Sequence, residues 1–410
     1  MAERFDILVE GLSEEQALSL VLADTSSVER PADRYFAATR LGLSNSDESL
    51  NKLLTAVQEL SITELYDKIT RRKCIEALGR RKDQAAIPTL IEVLQCEDQE
   101  AIINAINALV RIGWMPEENE KTLLLSLLEN DLDFTTLRAI IQAHARMKLE
   151  SSKARSKMTT LCEHESALVS GAARAYLCKM YGTEQLLSPL LSQLTDVNAG
   201  KRRSAVIDLG DAESETVLEA LITAPVSMSL RSKSFFQIVD ANNSADSPNN
   251  RRLLEQLVLD DPRKLNFRDE WKCDINADDI ERNLSHRDEA RQYGAALSLM
   301  LLQQEQCLDL IDSMQDRLWS DYVTHYYLTC IVGLRQFYNK SHLIRSALAE
   351  TTPQYTKSRI AAAWACLSLQ LFDQMELLHE LSETAYWKPL RWTCQQVYAR
   401  MSDQQRNSNR

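Results

Sequence analysis

The chain has 410 residues and a formal net charge of −12, more than one ordinary core supports, so two domains or an extended repeat are expected. Acidic residues are spread along its length, and the mean field they produce repels phosphate backbones, which argues against a nucleic-acid partner. Nine cysteines without a CxxC pair read as reduced thiols in a cytoplasmic protein and offer no zinc tetrad. The opening MAERFDILVEGLSEEQALSL lacks the order of a signal peptide, and no run of about 18 apolar residues predicts a membrane span.

In chain order, the first 240 or so residues repeat a pattern: an amphipathic helix, a small-residue-Leu-Gly turn, a few polar residues, then a second apolar helix. RYFAATRLG (34–42), RRKCIEALGRRKD (71–83), NAINALVRIGW (104–114) and RRSAVIDLGD (202–211) occupy corresponding places. Gly42, Gly79 and Gly113 stand 37 and 34 residues apart, the period of a helical-pair solenoid. Each is expected to end its helix in a left-handed cap, with Asp83 capping the next element and Pro88 in that element's first turn. Helix pairs are predicted near 31–60, 63–95, 98–130, 132–164, 165–195, 197–224 and 226–259.

The segment 260–275, DDPRKLNFRDEWKCDI, has no helical periodicity and is the expected connector between two halves. Pairs resume near 276–303, 304–336, 340–371 and 374–402, and 403–410 reads as a frayed tail. The predicted architecture is therefore all-α: a curved HEAT-like helical-repeat solenoid in two halves, 1–259 and 276–402, whose concave face binds by default.

Half of the aromatic residues, 13 of 26, lie between Trp319 and Tyr398. If 318–336 is one helix, Trp319, Tyr322, Tyr326 and Cys330 share a face, with Asp321 and His325 nearly opposite. The plain reading is an aromatic core face and a solvated Asp321–His325 pair. The sharper one turns Asp321 and His325 toward the groove, with Tyr322 and Tyr327 at its border.

In the first repeats, Arg72, Glu76 and Arg80 fall four apart, most simply as an outward ion-pair ladder. With Arg34, Arg71 and Lys73 they also form a basic cluster suited to carboxylate or phosphate anchoring. In 286–299, Arg291 and Tyr293 before two alanines echo Arg34 and Tyr35, and Tyr386, Trp387 and Trp392 read as a seal on the last repeat. No phosphate loop, GxSxG, HExxH or kinase signature occurs, so hydrolytic, nucleotide-driven and metal-assisted chemistries have no support.

RYFAATRLG, RRKCIEALGRRKDQAAIPTLIEVLQ and NAINALVRIG together resemble the amino-terminal part of the E/F-type bilin lyases of cyanobacteria, most clearly over about 30–115. These HEAT-like proteins attach open-chain tetrapyrroles to phycobiliproteins. A single chain of this length resembles the phycoerythrin-directed members, some of which convert phycoerythrobilin to phycourobilin during attachment. The NHCQGN motif of one isomerase subfamily is absent, so that subfamily's catalytic Cys and His are not carried over.

The resemblance implies phycoerythrobilin as substrate, no permanently bound cofactor or metal, and a phycoerythrin α-subunit as client. The client supplies the thiol; the lyase holds one bilin conformer and handles protons. On this reading Asp321, Tyr322 and His325 are the catalytic candidates, and Arg34, Tyr35, Arg71, Arg72, Trp319 and Tyr327 the bilin-binding ones. Two other readings stand beside it: a non-catalytic HEAT scaffold or chaperone for phycobiliprotein assembly, and a HEAT-like DNA glycosylase, which the net acidity opposes.

Overall fold

The computed structural model describes Val9 and residues 11–408. Among the described residues there are helices and short 3₁₀ turns but no strand, and no helix is long and apolar enough to cross a membrane. Expectations that concern residues 1–8, 10, 409 and 410 lie outside the described residues.

The chain forms two compact units, Met1–Leu186 and Leu187–Arg410. In the first, α1 (Glu14–Leu20) leads into four helix pairs: α2 (Ala32–Leu41) with α3 (Asp47–Glu59), α4 (Leu65–Arg81) with α5 (Ile87–Val93), α6 (Gln99–Ile112) with α7 (Glu118–Leu127), and α8 (Phe134–Arg146) with α9 (Ser152–Leu161). α10 (Ala167–Tyr181) follows them. The leading helices stack in sequence, α2 on α4, α4 on α6, α6 on α8 and α8 on α10. Both helices of each pair predicted over 31–164 are present, and each trailing helix packs on the leading helix that follows it; the helices carry stripes such as Ala101, Ile102, Ala105, Ile106, Leu109 and Ile112 of α6, all buried.

The glycines act differently from the expectation. Gly113 is a left-handed cap at φ 83, but Gly42 is right-handed and Gly79 lies inside α4, where Lys82 takes the left-handed cap at φ 59. A Cβ on Gly42 would lie 2.8 Å from Ala77 Cβ, and one on Gly79 would lie 2.6 Å from Ala108 Cβ. The recurring glycine is thus a packing device that lets successive leading helices approach closely. Asp83 does cap its turn, accepting from Ala85 N at 2.9 Å, and Pro88 sits in the first turn of α5.

The second unit contains α11 (Ser188–Gln193), α12 (Ala199–Ala212), α13 (Leu218–Ile222), α14 (Met228–Ala241), α15 (Pro248–Leu259), α16 (Ala277–Leu284), α17 (Glu289–Leu301) and α18 (Gln304–Leu318). It continues through α19 (Tyr322–Leu334), α20 (Ser341–Ala349), α21 (Thr356–Ser368), α22 (Met375–Thr384) and α23 (Lys388–Ser408). Its stacking is broken once: α15 packs against α21 and α23, which brings the early and late helices of this unit together.

The irregular stretch 260–275 lies within this compact unit, between α15 and α16. Tertiary contacts replace helical hydrogen bonds there. Asn266 N donates to Thr223 O at 2.8 Å, and the Arg202 guanidinium lies 4.7 Å from the centre of the buried Trp271 ring. The Trp271 carbonyl lies where a Cβ on Gly294 would come within 1.9 Å of its oxygen. At the other end, α23 runs to Ser408 and takes in most of the expected tail.

Candidate functional site

The sequence candidates on 317–330 divide between two helices. α18 ends at Leu318 with Trp319 as its cap residue, and Asp321 begins α19 as an N-cap, its Oδ1 accepting from Thr324 N at 2.8 Å. Trp319 is therefore off the face assigned to it and packs on His325, ring centres 3.9 Å apart. His325 is buried, with Nδ1 2.8 Å from Ser358 Oγ and the Tyr355 ring 4.7 Å away. Burial pushes its imidazole down to about 4, against the attraction of Glu350, so it is neutral near pH 7. Tyr322 is 50% exposed, apart from the buried Tyr326 and Tyr327. The structure thus brings Trp319 and His325 together but directs Asp321 to its helix terminus and Tyr322 to solvent.

The amino-terminal candidates make structural contacts in their own unit. Arg34 is buried, donating to Asp67 at 2.7 Å and Thr25 at 2.9 Å, and Arg71 donates to Val57 O at 2.8 Å. Arg72 forms a fork on the Asp98 carboxylate instead of joining the expected ladder, although Arg80 does pair with Glu76 at 2.8 Å. Tyr35 lies edge-on to Phe36 with Lys73 Nζ 4.9 Å from its ring centre.

A buried polar network lies between α14, α15, α17 and α19. Arg231, fully buried, donates Nε to Val226 O at 2.8 Å and places its other nitrogens on Ile222 O, on Asp260 and on Tyr293 Oη at 3.0 Å. Asp260 ends α15 in the left-handed region at φ 47, which turns its carboxylate inward. There it also accepts from Tyr293 Oη at 2.7 Å and from Tyr326 Oη. Both phenols are pushed well above the usual tyrosine range by burial first and by the carboxylate second. Tyr327 completes the layer, edge-on to Tyr293 at 5.4 Å and donating to Gln292 at 3.3 Å. Lys357 Nζ lies 4.4 Å from the Tyr326 ring centre, and burial pushes its ammonium below the usual lysine range.

The next residue after Asp260 faces outward. Asp261, Lys264 and Leu259 join α15 and α23 in lining a groove of about 520 Å³, within the usual range of ligand pockets. Its polar wall holds four cations, Arg251, Arg252, Lys264 and Arg400, and two carboxylates, Glu255 and Asp261; Leu259, Leu334 and Trp392 form the apolar wall. Arg400 crosses from α23 to Glu255 of α15 at 2.8 Å, and Arg263 holds Asp261 at 2.6 Å. Lys264 is exposed, and among the described residues no carboxylate pairs with it. Trp392, expected as a seal, belongs to this wall.

A narrower slot of about 60 Å³ shares Leu259 and Leu334 with the groove and runs between α19 and α21. Small residues line it, Gly333, Ala361 and Ala365, and at Gly333 the two helices approach closely, a Cβ there falling 2.7 Å from Ala365 Cβ. Cys330 and Trp364 also line it. Burial pushes the Cys330 thiol far above its usual range, so it stays protonated.

Sequence reasoning missed this region because most of its cations come from α15 and α23, whose Glu255 and Arg400 are 145 residues apart in sequence. The available signal was the polar interruption of an otherwise regular repeat at 260–275, which supplies Asp261 and Lys264. Among the described residues no group of three or more His, Cys, Asp or Glu side chains is placed to hold a metal.

Comparison with known proteins agrees with this architecture. The HEAT repeats family matches residues 60–145. A phycocyanin operon protein Y of Pseudanabaena tenuis, itself uncharacterized, is 26% identical over 88% of this chain and 89% of its own length. The bilin biosynthesis protein CpeY of Synechococcus sp. is 24% identical over 85% of this chain and 84% of its own. Among solved structures, the complex of CpcE and CpcF of phycocyanin lyase from Nostoc sp. has a TM-score of 0.50 and 20% identity, covering 60% of this chain and 94% of that one, a likeness of fold. Motifs, sequence relatives that match 85–88% of the chain, and the helix-pair fold converge: this chain is similar to HEAT-repeat proteins of bilin biosynthesis.

Proposed function

We propose that the protein is a bilin lyase that joins phycoerythrobilin through a thioether to a cysteine of a phycoerythrin α-subunit, with isomerisation to phycourobilin during attachment. The observation that carries the bilin assignment is the groove of the second unit. An open-chain tetrapyrrole presents two propionates, a row of pyrrole N–H groups and flat apolar edges. The groove presents cations, two carboxylates and a Leu259–Leu334–Trp392 wall in about the volume such a ligand needs. Relatives that include a bilin biosynthesis protein along most of the chain support the same reading.

In the reaction, the client sulfur forms a bond to the exocyclic ethylidene carbon while a proton, equivalent to the one lost by the thiol, arrives at the adjacent ring carbon. Isomerisation takes one proton from each of the two saturated ring carbons and returns one to each carbon of the ring-to-bridge double bond, so that the double bond moves into the ring, and neither step needs an oxidant. The protein's part is to hold the pigment in one conformer and exchange protons. Lys264 and Arg400 suit the propionates, and Glu255 or Asp261 suits the pyrrole N–H groups. The protonated Cys330 leaves the client thiol as the nucleophile.

Co-expression with bilin-synthesis enzymes and candidate subunits tests the proposal. The expected result is a covalently coloured α-subunit whose absorbance is that of phycourobilin. A client that is colourless, or equally coloured without this chain, refutes the lyase; a phycoerythrobilin spectrum refutes only the isomerase step.

A further inference from the structure

Against the slot beside the groove lies a donor that the protein does not satisfy. Trp364 is 6% exposed, lines the slot, and its indole Nε1 is buried without a hydrogen-bond acceptor. An indole nitrogen only donates, and leaving such a group buried and unmet costs free energy that a ligand oxygen would recover. Apart from Cys330 and Ser368, whose hydroxyl is spent on Gly333 O and Ala365 O, the slot is lined by apolar and small residues, a shape for the edge of a flat ring. Trp364 also touches both compartments: Arg400, on the groove wall, lies 5.3 Å from its ring centre.

Resting on the bilin reading above, we infer that the slot seats a terminal lactam ring of the tetrapyrrole, whose carbonyl accepts the Trp364 indole N–H while the propionates lie in the groove against Lys264 and Arg400. A lactam carbonyl is the strongest neutral acceptor at the end of such a ligand. Polar propionates stay at the wet, cationic side. The shared Leu259–Leu334 wall lets one ligand run through both spaces. Orientation follows: one end of the pigment is buried and the other is left for the client's thiol. Trp364 is thus a binding and orienting residue.

Two variants and two ligands test this. Free phycoerythrobilin and its O-methyl lactim ether are titrated by absorbance into the full chain, Trp364→Phe and Ala361→Leu, with folding checked by circular dichroism and thermal melting. The wild type is expected to prefer the lactam by about tenfold, the factor for one buried hydrogen bond. Trp364→Phe should lose that preference, and Ala361→Leu, which fills the slot, should weaken both ligands. A folded Trp364→Phe that keeps the preference, or a folded Ala361→Leu that binds like wild type, overturns the slot assignment and leaves the lyase reading standing. Failure of the wild type to bind either ligand overturns the bilin reading itself.

Discussion

Asp260→Asn changes one atom's identity and almost no volume, yet it removes the negative charge facing a fully buried guanidinium. Asp260 is 2% exposed and takes hydrogen bonds from Arg231, Tyr293 and Tyr326. Asparagine tolerates the left-handed backbone at φ 47, so local strain is not introduced. Its amide keeps one acceptor oxygen but turns a donor group toward other donors, and Arg231 is left without a counter-charge. Breaking a buried pair from one side costs about 3–5 kcal/mol, against a typical total of about 5–15 kcal/mol for a domain. The second unit should therefore lose about a fifth or more of its stability, or fail to fold.

Urea unfolding followed by tryptophan fluorescence reads this unit selectively, since five of the six tryptophans lie after Leu186 and only Trp114 before it. The double variant Asp260→Asn with Arg231→Met should be less damaged than Asp260→Asn alone, because the stranded charge is gone too. A loss below about 1 kcal/mol for the single variant, or strict additivity in the double, would refute the reasoning that this pair is a closed, dry network.

Gly294→Ala should destabilise the same unit by at least about 1–3 kcal/mol in chemical denaturation, because the new Cβ falls 1.9 Å from the Trp271 carbonyl oxygen. Asp321→Asn should leave melting temperature and adduct yield unchanged, since asparagine caps a helix as well as aspartate does; a lowered yield at unchanged folding would return Asp321 to the chemistry. His325 is neutral in the fold down to about pH 4 but titrates near 6.5 when unfolded, so the unfolded chain binds the extra proton. Its contribution is full above pH 6.5 and is lost as pH falls toward 4; His325→Asn should flatten the decline in unfolding midpoint between pH 7 and 5, and an unchanged slope would contradict it. Lys264→Ala should weaken phycoerythrobilin binding several-fold at low salt and by less at high salt, as loss of one exposed cation requires.

The helix pairs were legible because repetition and amphipathic period are local properties of the chain: stripes such as 101–112 need no knowledge of what they pack against. The roles of repeated residues were less legible. Glycine after leucine suggests a cap, but Gly42 and Gly79 answer to Ala77 and Ala108 of the next repeat, which only the stacking reveals. The early arginines suggest a basic cluster for anions. Arg71, Arg202 and Arg231 instead each donate to main-chain carbonyls outside their own helices, at Val57, Asp196 and Val226. A charged residue recurring at the repeat period is therefore better evidence for a structural clasp than for a ligand site.

The same logic explains where the candidate site lies. Where the regular stack is interrupted, charged groups from distant helices come together. Here the interruption is the turn after α15. Asp260 rotates inward to anchor Arg231 and the two phenols, and Asp261 is left facing the groove with Lys264. Adjacent carboxylates on opposite sides of one turn couple the rigidity of the buried network to the shape of the groove wall. Loosening the first should blur the second, so Asp260→Asn, if it folds at low temperature, should bind bilin more weakly although Asp260 touches no part of the groove.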